Sequence, residues 1–196
     1  MVSIFPTAHN SEAPLKICVY MASRIGARPQ YSAAAAEVGT WIGSQGHGLV
    51  YGGGQVGLMG VVADAVLAAG GEVTGIITQH LYDQEVAHQT VTELVVVDDM
   101  PTRKREMFQR SDAFLVLPGG VGTLEELTEV WCWSSLSLHS KPIGLLNCDG
   151  YYDGLLTFLE RSIDDGLMGE LHRELLEVSD NPIALLTSLA SLSSAN

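Results

Sequence analysis

The chain has 196 residues, 46% of them hydrophobic and 17% charged, so a large apolar core is within reach and disorder over most of the length is excluded. Its 10 Lys and Arg stand against 23 Asp and Glu, a formal net charge of −13 that excludes a general binder of nucleic acid. Cys18, Cys132 and Cys148 are scattered and form no CxxC pair, as expected of a cytoplasmic protein, and no apolar run of about 18 residues offers a membrane span.

Residues 1–14 are mixed and polar and read as a flexible tail, without the basic and apolar regions of a signal peptide. One domain is expected over residues 15–196. Leu15 to Tyr20 reads as a first strand, followed by the loop Met21-Ala22-Ser23-Arg24-Ile25-Gly26. Tyr31 to Gln45 has apolar residues at helical spacing and ends at Gly46 and Gly48. After a second strand, Leu49 to Tyr51, a glycine-rich loop (Gly52 to Gly60) opens a helix that Gly70-Gly71 stops. Glu72 to Thr78 is a third strand, Gln79 to Thr90 a polar loop and Glu93 to Val97 a fourth strand.

Asp98-Asp99-Met100-Pro101 then opens a helix to about Arg110, an acidic cap before a first-turn proline. Ala113 to Leu117 is a fifth strand, leading into Pro118-Gly119-Gly120-Val121-Gly122-Thr123-Leu124-Glu125-Glu126 and a helix to about Leu138. Pro142 to Leu146 is a sixth strand, Tyr151 to Asp165 a helix, Met168 to Leu175 a short helix and Leu176 to Val178 a last strand. Asn181-Pro182 caps the final helix. Strands alternating with helices predict an α/β fold. It is a single Rossmann-like, doubly wound, mostly parallel sheet with helices on both faces, its ligands beyond the carboxyl ends of the strands.

The stretch from Pro118 to Glu126 carries the most chemistry. A strand, a glycine-rich turn and a helix together place free N–H groups and a positive dipole end at one point, which favours a bound phosphate. The same residues fit plain turn chemistry, with Thr123 as N-cap and Glu126 as its capping-box partner. Three of the ten cations are consecutive, Arg103, Lys104 and Arg105, with Arg110 nearby. They sit near the start of a helix, where the dipole disfavours them, and so imply either an anion nearby or a solvated basic face. Glu125 and Glu126 would repel a phosphate unless one turns away and the other faces a reacting sugar carbon, the logic of glycoside hydrolysis. His80 and His88 have no metal-ligand spacing, and no metal is expected. Cys132, between Trp131 and Trp133, reads as a core or interface thiol.

Three motifs in order, Gly52 to Gly60, Met100-Pro101-Thr102-Arg103-Lys104 and Pro118 to Glu126, resemble those of the LOG (Lonely Guy) family. These are cytokinin-activating phosphoribohydrolases often labelled lysine decarboxylases. The resemblance covers the chain from about Leu15 to the last helix. It implies hydrolysis of the N-glycosidic bond of adenosine 5′-monophosphate, plain or N6-prenylated, to free base and ribose 5-phosphate without a cofactor. It makes Arg103 and Glu126 the catalytic pair and sets Gly119, Gly120, Val121, Gly122 and Thr123 around the 5′-phosphate. Glu85, Lys104, Leu124, Glu125 and Cys132 become further substrate contacts, and a homodimer or larger assembly is implied.

The chain departs from the family pattern at Met21-Ala22-Ser23-Arg24, where a Cys-Gly-Ser-Ser type loop is usual, and at Cys132, where Thr is usual. Two other functions stand beside this one. A lysine decarboxylase would need pyridoxal phosphate on a lysine, and none of Lys16, Lys104 and Lys141 has a recognisable cofactor setting. A non-catalytic nucleotide-binding or sensor module would keep the glycine loops and the basic cluster but not need Glu126 at the sugar.

Overall fold

Short runs rich in Val, Ile and Leu pair into a sheet because they are apolar on both faces. They are β1 (Lys16–Tyr20), β2 (Gly48–Tyr51), β3 (Glu72–Thr78), β4 (Glu93–Val97), β5 (Ala113–Val116), β6 (Ile143–Leu146) and β7 (Glu177–Ser179). The structure is a computed structural model that describes residues 13–84 and 87–194. The expected tail at residues 1–14 lies outside the described residues except for Ala13 and Pro14. Among the described residues the strands form one sheet in the order β4-β3-β2-β1-β5-β6-β7, with every strand pairing parallel rather than most of them.

Alternate residues of each strand face opposite layers. Ile17, Val19, Ala113 and Leu115 face α1 (Pro29–Ser44), α2 (Gly57–Ala68) and α8 (Pro182–Ser194). Cys18, Tyr20, Phe114 and Val116 face α4 (Met100–Gln109), α5 (Val121–Ser135) and α6 (Asp153–Asp164). Two short helices, α3 (Gln79–Gln84) and α7 (Leu171–Glu174), complete the chain, with a 3-10 turn at Cys148–Gly150.

Most element boundaries follow the apolar pattern and the caps. Asp99 caps α4 by accepting the Thr102 N–H at 2.7 Å, and Asn181 accepts the Ala184 N–H at 2.9 Å to start α8. Two expectations are corrected. The segment Gln79 to Thr90, read as a loop, begins with α3, whose side chains are polar and whose core packing is too slight to leave a periodic signal. The capping box of Thr123 and Glu126 does not form. Gly120 is the N-cap of α5, with φ −96° and ψ −153°, so Thr123 already lies inside the first turn. The N-cap thus lies three residues before Thr123, and Glu126 is not a capping partner.

Helices α1 and α2 pack unusually close. A Cβ at Gly39 would lie 2.5 Å from the Val62 carbonyl oxygen, and one at Gly43 would lie 2.6 Å from that of Val66. Small residues at this spacing let the two backbones meet. Gly39→Ala should therefore destabilise the fold by about 1–3 kcal/mol through overpacking, although Ala is the better helix former. Gly154→Ala in α6, where an added Cβ meets nothing within 4 Å, should be neutral or stabilising. Urea denaturation of the two variants measures the contrast.

Candidate active site

The sheet grows in one direction from β1 through β2 and β3 to β4, and in the other from β5 through β6 to β7. The winding reverses between β1 and β5, and a crevice opens there at the carboxyl ends of the strands. One residue straps its walls together. Ala22 donates its N–H to the Pro118 carbonyl at 3.2 Å and accepts the Leu58 N–H at 3.2 Å. The loop after β1 is thus tied both to the glycine turn after β5 and to the start of α2. The cleft beside it has a volume of about 460 Å³, lined by Tyr20 to Arg24, Gly52, Met59, Leu81, Arg103, Met107, Gly120 to Thr123 and Glu126.

One wall is the start of α5. The N–H groups of Val121, Gly122 and Thr123 precede the first intrahelical bond, from Leu124 N–H to the Gly120 carbonyl at 3.0 Å. An added Cβ at Gly120 or Gly122 would project into open space, so both glycines leave room for a ligand. Gly119 serves a different purpose, because its missing Cβ is where the Thr123 side chain lies. Tyr151 and Tyr152 fix the turn from behind, donating to the Gly119 and Leu117 carbonyls at 2.6 and 2.7 Å.

The floor is Arg103 of α4, only 7% exposed. Its Nε donates to the Ile76 carbonyl and one Nη to the Gly52 carbonyl, both at 2.9 Å. The other Nη lies 3.8 Å from Glu126 Oε1. Gly52 is obligatory here for a steric reason, since a Cβ would land on the Arg103 guanidinium. The side chain of Glu126 is 13% exposed. Burial pushes its carboxyl up from the ordinary 4.5 to about 7, against the pull of Arg103, while Glu125 and Glu129 push the same way as burial and Lys104 opposes them. Neighbouring Cys18 is pushed up to about 12 and Tyr20 well above its usual value, chiefly by burial. Glu126 is therefore the group of this cleft that titrates near neutrality.

The other residues singled out in the sequence fall elsewhere. Lys104 points away from the cleft and donates to Glu125 and, at 2.9 Å, to Glu129, joining α4 to α5. Arg110 is held by Glu93 and Glu106, and Arg105 by Thr102. The basic cluster thus contributes one cation to the cleft, and carboxylates of the chain answer two of the other three. Leu124 is half-buried against the core and Cys132 is exposed outside the cleft. Glu85 lies outside the described residues.

His88 is buried between Asp64, at 3.0 Å, and Thr90, at 3.2 Å. Among the described residues no group of three or more His, Cys, Asp or Glu is placed to hold a metal, and no helix is long and apolar enough to cross a membrane. No lysine lines the cleft. Lys141 donates to the Phe108 carbonyl at 2.6 Å and sits over that ring, and Lys16 is exposed at the start of β1, so the residues present do not fit a Schiff-base cofactor. Sequence reasoning had passed over Tyr20, Met59, Leu81 and Met107 as cleft walls. They are apolar or aromatic residues that only the strand ends and helix faces bring together.

A family model described as possible lysine decarboxylase matches residues 59–189. Two cytokinin riboside 5′-monophosphate phosphoribohydrolases of Arabidopsis thaliana are similar over most of their length. One is 45% identical over 92% of this chain and 79% of the relative, the other 44% identical over 89% and 80%. Among solved structures, the Moco carrier protein from Chlamydomonas reinhardtii superposes with a TM-score of 0.70 at 18% identity, covering 94% of this chain and 100% of that one. The molybdenum cofactor binding protein from the phototrophic bacterium Rippkaea orientalis gives 0.68 at 24% identity, covering 91% and 99%. The likeness to these two structures is one of fold.

The raised carboxyl of Glu126 carries a stability cost with a definite sign. Below about pH 4.5 the group is neutral whether folded or unfolded; as pH rises to about 7 the unfolded chain ionises first, and the fold loses stability. Glu126→Gln removes that loss. Its melting temperature relative to the unsubstituted protein should rise between pH 5 and pH 8, as scanning calorimetry at the two pH values would show.

Proposed function

We infer from the premise that this chain belongs to the possible lysine decarboxylase family, among its LOG-type members, that it is a phosphoribohydrolase. It hydrolyses the N-glycosidic bond of a cytokinin riboside 5′-monophosphate, releasing the free base and ribose 5-phosphate. The observation that carries the mechanism is the nearly buried pair of Glu126 and Arg103 beside the open start of α5.

The N–H groups of Val121, Gly122 and Thr123 hold the 5′-phosphate at the positive end of the helix dipole. A nucleotide anchored there lays its ribose toward Glu126. As the glycosidic bond lengthens, positive charge grows on the sugar. A carboxylate in a low-dielectric cleft stabilises it and takes a proton from the attacking water, whose hydroxyl bonds to the sugar carbon, while the base leaves with the bonding pair and takes up a proton. Arg103 favours the ionised form of that carboxylate, and its two carbonyl bonds fix where the pair stands. Lys104 and Glu125, assigned by resemblance to the substrate, act in this reading by bracing α4 against α5, which keeps Arg103 opposite Glu126.

Met59, Met107 and Leu81 give the cleft an apolar lining that suits the base, whether plain adenine or its N6-prenylated form. Exposed apolar residues, among them Leu136 and Leu138 after α5 and Phe158 on α6, support a homodimer. Three free cysteines, two of them buried, support a cytoplasmic setting.

Chromatography of reactions with adenosine 5′-monophosphate and its N6-isopentenyl derivative tests the reading. The protein should release free base and ribose 5-phosphate from at least one of them, and Glu126→Gln should be slower by at least about 100-fold. Nucleotide that binds but stays intact would overturn it. If the ionised carboxylate is the working form, kcat/KM falls with decreasing pH below about 7, in addition to any effect of the substrate phosphate titrating near 6.

A further inference from the structure

Arg24 is the residue of the cleft that the mechanism leaves unused. It stands in the loop after β1 and lines the cleft together with Gly120 to Thr123. The backbone that carries it is held in place. Ala22 is bonded on both sides, and Gly57, at φ +66°, leaves no space between α2 and the Ser23 carbonyl, to which an added Cβ would come within 2.5 Å. Among the described residues the side chain of Arg24 has no hydrogen bond or ion pair. The other six arginines all donate to a partner within the chain.

The charge balance of the cleft makes this significant. Arg103 is committed to two carbonyls and to Glu126, and Lys104 is answered by two carboxylates. The start of α5 supplies about half a positive charge, whereas a phosphate monoester near neutrality carries about −1.5 to −2. In a chain of net charge −13, the one uncommitted cation of the cleft lines it together with the open start of that helix. A guanidinium is suited to grip a phosphate through two parallel hydrogen bonds.

We propose that Arg24 binds the 5′-phosphate together with the start of α5 and thereby strengthens the preference of the cleft for a nucleoside 5′-monophosphate over the nucleoside. The proposal rests on the phosphoribohydrolase reading and names the group that sets its substrate class. The usual family loop is uncharged at this position, so Arg24 adds a phosphate contact beyond the glycine turn that the family pattern supplies.

Arg24→Ala is the test, with Arg24→Lys as the conservative partner. The ratio of kcat/KM for adenosine 5′-monophosphate over adenosine should fall about 10- to 100-fold in Arg24→Ala, through a higher KM for the nucleotide, and recover in part in Arg24→Lys. A ratio within about threefold of the unsubstituted protein, or an equal loss on both substrates, overturns the proposal. Calorimetric binding of ribose 5-phosphate to Glu126→Gln, with and without Arg24→Ala, needs no turnover. Affinity should drop by a similar factor, and unchanged affinity again overturns the proposal. If neither substrate is hydrolysed, the phosphoribohydrolase reading fails, while the ribose 5-phosphate result still decides the role of Arg24.

Discussion

A guanidinium taken almost wholly out of water must be met on every side, and the geometry of the cleft follows from how Arg103 is met. Two backbone carbonyls from the ends of β2 and β3 take its hydrogen bonds, and one carboxylate takes its remaining charge. Without that carboxylate the buried cation would be costly. Without the cation, Glu126 would lose the one attraction that opposes its burial most strongly. Each member makes the other tolerable, and the two sit where the sheet changes direction.

The surrounding structure serves mainly to keep them in register. The side chain of Lys104, one residue after Arg103, holds the outer side of α5 through Glu125 and Glu129. The glycine turn before α5 is gripped from behind by two tyrosine hydroxyls and from the front by the Ala22 strap. The open N–H groups and the Glu126 carboxylate therefore belong to one helix, while the cations of the cleft come from α4 and from the loop after β1. A substrate that bridges them would draw three separately wound parts of the chain together.

Much of this was legible in the sequence. The apolar runs located the strands, and the alternation of strands and helices gave the parallel winding because few other arrangements bury such runs on both faces. The motif from Pro118 to Glu126 stood out because glycines that leave space for a ligand look the same on paper as in space. What was not legible depended on distance along the chain. Whether Thr123 and Glu126 cap a helix turned on where that helix begins, and Gly120 decided it. The consecutive cations left open an anion nearby or a solvated basic face, and helical geometry sends Arg103 inward and Lys104 toward α5, while Glu93 and Glu106 hold Arg110 elsewhere. The glycine loop after β2 read only as the opening of a helix; its first glycine makes room for an arginine 51 residues away.

That last contact ties the fates of two positions together. Any side chain at residue 52 collides with the guanidinium, so the glycine is required for as long as residue 103 is arginine. A shorter residue at 103 would lift the restriction, yet it would leave two carbonyls and a carboxylate without their donor. Neither position offers a tolerable first step away from the present pair, which makes Gly52 and Arg103 an epistatic unit. Random mutagenesis screened for function would recover changes at neither, because a joint change removes the clash but still leaves those carbonyls and Glu126 without their donor.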